Sequence, residues 1–135
     1  MKLLADIEYA GWRLRGANEL RGKHWAAIKR LTTPPVASVY HKINKYAFVF
    51  GPHPCRTVEV TRIGPREMDY DNLVSSMKRA LDLLKCRKIL SAGEVHVVGG
   101  LLWDDKPQYA KLVAKQEKGP YGVRIRVFDG TKGAA

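Results

Sequence analysis

The chain of 135 residues is poor in cysteine: Cys55 and Cys86 lie 31 positions apart, with no CxxC pair. That spacing argues against a thiolate zinc site or a disulfide framework and fits a reduced, cytoplasmic protein. The four histidines, His24, His41, His53 and His96, are scattered without ligand spacing, so they read as surface or core residues. No apolar run approaches the roughly 18–20 residues that span a bilayer, so no membrane partner is expected. Met1-Lys2-Leu3-Leu4 runs at once into Asp6 and Glu8, which leaves no apolar core for a signal peptide. Repeats, low-complexity stretches and linkers are missing too. One domain over residues 1–135 is expected, with a frayed tail at 130–135.

Acid is also scarce: 13 Asp plus Glu stand against 24 Lys plus Arg, a formal charge of +11. The excess is spread, with nine basic and three acidic residues in 1–50 and fifteen and ten in 51–135. A folded domain this positive most often meets a polyanion, and nucleic acid is the commonest one. A surplus that serves solubility, or an anionic membrane surface, is the plainer alternative.

Leu3, Ala5, Ile7 and Tyr9 alternate with Leu4, Asp6 and Glu8, a period of two that predicts a first strand. His24–Leu31 reads as a short helix. Thr33 before Pro34-Pro35 looks like another helix start, with Val36, Val39, Tyr40, Ile43 and Ala47 on one face. Arg56–Ile63 is rich in β-formers and stops at Gly64-Pro65. The clearest helical stripe is Leu73, Met77, Ala80, Leu81 and Leu84, which should face a sheet. Val95–Val98 reads as a short strand and Trp103–Pro107 as a turn. Tyr109–Gln116 and Val123–Phe128 close the chain as strands, the last with Val123, Ile125 and Val127 inward and Arg124 and Arg126 outward. The expected class is α+β, a small mixed sheet against two or three helices.

Five aspartates fall between positions 69 and 105: Asp69, Asp71, Asp82, Asp104 and Asp105. Asp69 and Asp71 precede a helix, where extended backbone sends i and i+2 to one side and the helix start favours ionised carboxylates. Singly they are ordinary. Asp71 or Asn72 can cap the helix, and Asp104-Asp105 ahead of Pro107 can be turn residues. Together they point elsewhere, because converging carboxylates repel by on the order of several kcal/mol unless a cation sits among them. Hard oxygen ligands with open water positions are what Mg²⁺ uses in phosphodiester chemistry. Asp71, Ser75, Lys78 and Asp82 share one helix face at i, i+4, i+7 and i+11. Lys78 is therefore placed to steady a scissile phosphate, or simply to pair with Asp82.

Asn18 in a glycine- and arginine-rich early segment, Asp69-Tyr70-Asp71-Asn72-Leu73, Ala80–Leu84, Trp103-Asp104-Asp105 and the closing Gly122–Val127 strand resemble the RusA-like Holliday junction resolvases, the phage and prophage members above all. The resemblance spans residues 15–128, and its specific parts are the DxDNL and WDD stretches. It implies a homodimeric, Mg²⁺-dependent endonuclease (Mn²⁺ serving as substitute) in a bacterial host, which resolves four-way DNA junctions by paired nicks without a small-molecule cofactor. Asp69, Asp71 and Asp105 match the family's catalytic aspartates and metal ligands, with Asp104 as their acidic neighbour. The family's lysine four residues after the second Asp is Ser75 here, and Lys78 is its candidate replacement. The 34 positions from Asp71 to Asp105 exceed the compact members' spacing, which marks Lys85–Gly100 as an insertion.

DNA phosphates would be met by Arg21, Lys23, Lys29, Arg30, Lys42, Lys45, Arg79, Lys85, Arg87 and Lys88. Trp12, Trp25 and Tyr70 are candidates to stack on unpaired bases, with Trp25 favoured as a core residue instead. A junction has two equivalent strands to cut, which suits a twofold dimer. The Val36–Ala47 helix and the terminal strands are its candidate surfaces. The rivals are a non-catalytic nucleic-acid-binding module and a less selective nuclease acting on flaps or single strands.

Overall fold

A computed structural model describes residues 2–32, 39–43 and 45–130. The elements in order are β1 (Leu3–Ala10), α1 (Ala17–Leu20), α2 (Trp25–Thr32), β2 (Val39–Ile43), a 3₁₀ turn (Lys45–Ala47), β3 (Arg56–Gly64), α3 (Tyr70–Ser76), α4 (Lys78–Leu84), β4 (Arg87–Ser91), β5 (Glu94–Val98), β6 (Ala110–Lys118) and β7 (Gly122–Asp129). β1, β2, β3, β6 and β7 form one sheet in the order β2-β1-β7-β3-β6, and β4 and β5 form a separate hairpin. All pairings in the larger sheet are antiparallel except β3 with β6. The mixed α+β single domain expected from the sequence is what forms.

Strand alternation sets the register. Ile7 lies opposite Ile125, which lies opposite Val60, and Ala5, Val127 and Val58 make the neighbouring row. A one-residue slip would turn every one of these to the other face. Leu73, Met77, Ala80, Leu81 and Leu84 of α3 and α4 are all buried in the same cluster, the helical stripe that the spacing predicts. The opposite face of the sheet carries ion pairs: Arg124 with Glu8 at 3.1 Å and Glu117 at 3.3 Å, Arg126 with Asp6 at 3.6 Å, and Lys115 with Glu59 at 3.3 Å. Four of the thirteen acids are thereby engaged away from the helices.

Several expectations need correction. The Val36–Ala47 helix does not form: Val39–Ile43 is the edge strand β2, paired to β1, and residues 33–38 lie outside the described residues. Its β-branched and aromatic content satisfies a half-buried strand as well as a helix face. The last strand, β7, lies inside the sheet between β1 and β3, so it offers no free edge to a second chain. The helix after Asp69 is two short ones. Ser75 and Ser76 hydroxyls donate to the carbonyls of Asn72 (3.0 Å) and Leu73 (2.7 Å), competing with the helical ladder. The chain tightens at Met77, whose N–H bonds to Val74 at 3.2 Å. The expected Val95–Val98 strand does form, within Glu94–Val98, and Arg87–Ser91, for which the sequence pattern makes no assignment, pairs with it through a turn with positive φ at Ala92 and Gly93, the geometry of a tight hairpin turn. Of the tail expected at 130–135, Gly130 is instead bridged to Arg56 and accepts from the Thr57 hydroxyl at 2.8 Å, and residues 131–135 lie outside the described residues. Among those described, no helix is long and apolar enough to cross a membrane.

Candidate active site

The Asp69–Asp71 pair sits where the parallel crossover leaves β3. Asp69 occupies the N-cap position of α3 with extended backbone, but its side chain makes no capping bond. Instead the Asn72 side-chain amide donates to Asp69 Oδ1 at 2.6 Å. Asp71 stands exposed in the first turn, so the pair does not lie along one extended segment as its spacing predicts. Two distant residues fix this turn. Gln116 of β6 accepts from the Met68 N–H and donates to the Met68 carbonyl, both at 2.9 Å, and so clamps the backbone next to Asp69. Gly16 runs so close to Asn72 that a Cβ there would lie 2.8 Å from Asn72 Oδ1.

The Asp104–Asp105 turn is held differently. The Leu102 N–H donates to the Leu84 carbonyl at 3.0 Å, and the Cys86 N–H to the Leu102 carbonyl at 2.9 Å, which staples the turn to the end of α4. His53 Nε2 accepts from the Trp103 N–H at 3.0 Å, while Nδ1 lies 2.6 Å from the Pro54 carbonyl. The ring therefore serves as donor on one side and acceptor on the other, a role for the neutral form. Burial lowers its pKa first, the Pro54 carbonyl opposes this, and the charge on Arg56 lowers it further. The Asp105 N–H donates to Asp104 Oδ1 at 2.8 Å.

Cations of the chain already balance this second pair. Lys85 Nζ lies 3.2 Å from Asp82 Oδ1 and 3.8 Å from Asp105 Oδ2, and Lys106 Nζ lies 3.9 Å from Asp104 Oδ2. Burial pulls the Lys85 pKa down, but the hydrogen bond and charge of Asp82 and the charges of Asp105 and Asp104 outweigh it, so the ammonium is raised. The Asp104 carboxyl is held below its ordinary value, first by its side-chain hydrogen bond with Asp105, then by the Asp105 backbone N–H and, against desolvation, by Lys85 and Lys106.

The donors are thus of the kind Mg²⁺ uses, all hard carboxylate oxygens, but they are not gathered. Among the described residues no group of three or more His, Cys, Asp or Glu is arranged to hold a metal ion. The chain presents Asp69–Asp71 and Asp104–Asp105 as two pairs, with Lys85 and Lys106 beside the second.

Of the other expected site residues, Lys78 is exposed and shares a groove with Ser75 and Asp82, as the helical spacing predicts, whereas Asp71 lies outside that groove. Asp82 pairs with Lys85 rather than Lys78. Arg21, Lys23 and Arg30 are exposed, and Arg79 is half-buried. Lys29, Lys42, Lys45, Arg87 and Lys88 fall in α2, β2, the 3₁₀ turn and β4, with side chains outside the described ones. Trp12 is 2% exposed and belongs to the core, whereas Trp25 is 69% exposed and does not. Tyr70 is exposed next to Asp71. No family model, curated protein or solved structure matches the chain.

Proposed function

We propose that the chain is a structure-specific endonuclease acting on branched DNA, four-way junctions above all, and that it works as a homodimer. The observation that supports this reading best is the exposed Asp69–Asp71 pair at the head of α3, followed by α4 with Lys78 and Arg79 in its first turn, on a chain of charge +11. The exposed Arg21, Lys23 and Arg30 draw in the phosphodiester backbone through salt-dependent contacts. Lys78 meets the scissile phosphate and steadies its developing charge. Asn72 and the Gln116 clamp hold Asp69 in place. The divalent ion that the resemblance implies is a matter for the nicking assay, because the carboxylates of one chain are not grouped to hold it.

A second reading has its own support. With Asp82, Asp104 and Asp105 balanced by Lys85 and Lys106, the acids can be purely structural and the chain a DNA-binding module without catalysis. Incubating the chain with labelled four-way junction, flap and linear duplex at one salt concentration, with and without Mg²⁺, separates the readings. The endonuclease reading predicts junction nicks that need the metal. Nicks spread evenly over flap and duplex indicate the less selective nuclease, and tight binding with no nicks indicates the module.

A further inference from the structure

A groove of about 370 Å³ lies between α1–α2 and α3–α4, within the size range of small-ligand sites. Leu20, Trp25 and Ile28 wall one side, and Ser76, Lys78 and Arg79 the other. Trp25, the first residue of α2, leaves 69% of its surface in water, a costly position for the largest aromatic side chain. Arg79 Nε is buried without a hydrogen-bond partner among the described residues. The one carboxylate in the lining, Asp82, is paired with Lys85 at 3.2 Å, so cations set the charge of the groove. An indole face beside free cationic donors matches a base and its phosphate. An apolar peptide helix would leave those cations without partners.

We propose that this groove takes one unpaired nucleotide of a DNA strand, its base against the Trp25 indole and its phosphate beside Arg79, with Lys78 left to the adjoining scissile phosphate. The inference rests on the DNA reading above and specifies which part of a branched substrate the chain grips. Every base has a π-face, so stacking on Trp25 tolerates any sequence. A base inside a duplex keeps both faces on its neighbours and enters only after paying for unstacking.

The test compares the full chain's affinities for a short oligothymidine and for a duplex of equal length at one salt concentration, read by anisotropy of labelled DNA. Trp25→Ala is expected to weaken oligothymidine binding by about 5- to 150-fold, the worth of one stacked base. Duplex affinity is expected to change by less than about twofold, since it rests on phosphate contacts elsewhere. Trp25→Phe should recover most of the loss. Trp25 packs little, so both variants should melt with the wild type, and circular dichroism checks this. If Trp25→Ala binds oligothymidine as the wild type does, or loses both ligands equally, the groove is overturned while wild-type duplex binding keeps the DNA reading. A wild type that binds neither DNA overturns both.

Discussion

Asp69 and Asp71 stand at the exposed head of α3, where the close partner of Asp69 is the neutral amide of Asn72. Asp104 and Asp105 sit half-buried in a turn with Lys85 and Lys106 within 4 Å. The sequence presents the two pairs alike, as short acids in a basic chain. The structure makes them opposites. A carboxylate facing water beside a neutral donor keeps its charge for whatever approaches, whereas one beside a fixed ammonium is already balanced. An incoming cation meets Asp69 and Asp71 freely but must compete with Lys85 for Asp105. The first pair is therefore the better candidate for chemistry and the second for holding α4 to the turn.

Substitutions can break that contrast. The largest effect is expected for Asp71→Asn, which should lower junction nicking by at least about a hundredfold, since groups acting in the transition state contribute several kcal/mol. Junction affinity should persist or tighten as repulsion of phosphate is removed, and gel-shift titration checks this. Asp104→Asn should reduce nicking far less if its pair is structural; equal losses would erase the distinction. Lys78→Ala should cut turnover by about a hundredfold while changing junction affinity less than about threefold. Equal effects on rate and affinity would make it an ordinary phosphate contact.

Smaller effects probe the supports. Gln116→Leu removes both bonds to the Met68 backbone and should cost about 2 kcal/mol of stability, measured by urea unfolding, and nicking should fall with it. Lys85→Ala leaves Asp105 without its cation while Lys106 stays by Asp104, and for a partly solvated ion pair the cost should be about 1 kcal/mol or less. His53 gives the smallest, and a pH-dependent, signature. Its folded pKa lies below the ordinary 6.5, so the unfolded chain binds the proton more readily. Stability should then fall as pH drops through the ordinary value toward the folded one. Protonation at Nε2 also removes the acceptor that holds the Trp103 N–H. Urea midpoints at about pH 7.5 and about pH 5.5, compared with those of His53→Gln, should show a steeper acid loss for the wild type.

Much of the fold was legible because it rests on local periodicity. The alternation in β7 and the Leu73–Leu84 stripe each encode one buried face, and each is buried as expected. In β1 only Ala5, Ile7 and the half-buried Tyr9 follow the alternation, because a register shift between Leu3 and Ala5 exposes Leu3 and buries Leu4 instead. Val36–Ala47 misled because a 3.6-residue match in a short, β-branched stretch does not exclude an edge strand. The break at Met77 was hidden in two serines whose hydroxyls turn back onto the helix carbonyls. At the site, the acids could be named but not their partners. Lys85 reads in sequence as a DNA contact, yet the bridge between Lys85 and Leu102 brings it to Asp105. Gln116 carries no local signal at all, since its role depends on β6 lying beside β3. Trp25 reads as core from its place in a predicted helix, but it is exposed and the tryptophan that fills the core is Trp12.

The most direct trial is strand-resolved electrophoresis of a synthetic four-way junction incubated with the wild-type chain and Mg²⁺. Paired nicks at symmetry-related positions on two opposing strands, absent when a chelator is added, are the predicted result. Saturated binding with every strand intact across the whole range of Mg²⁺ would contradict it.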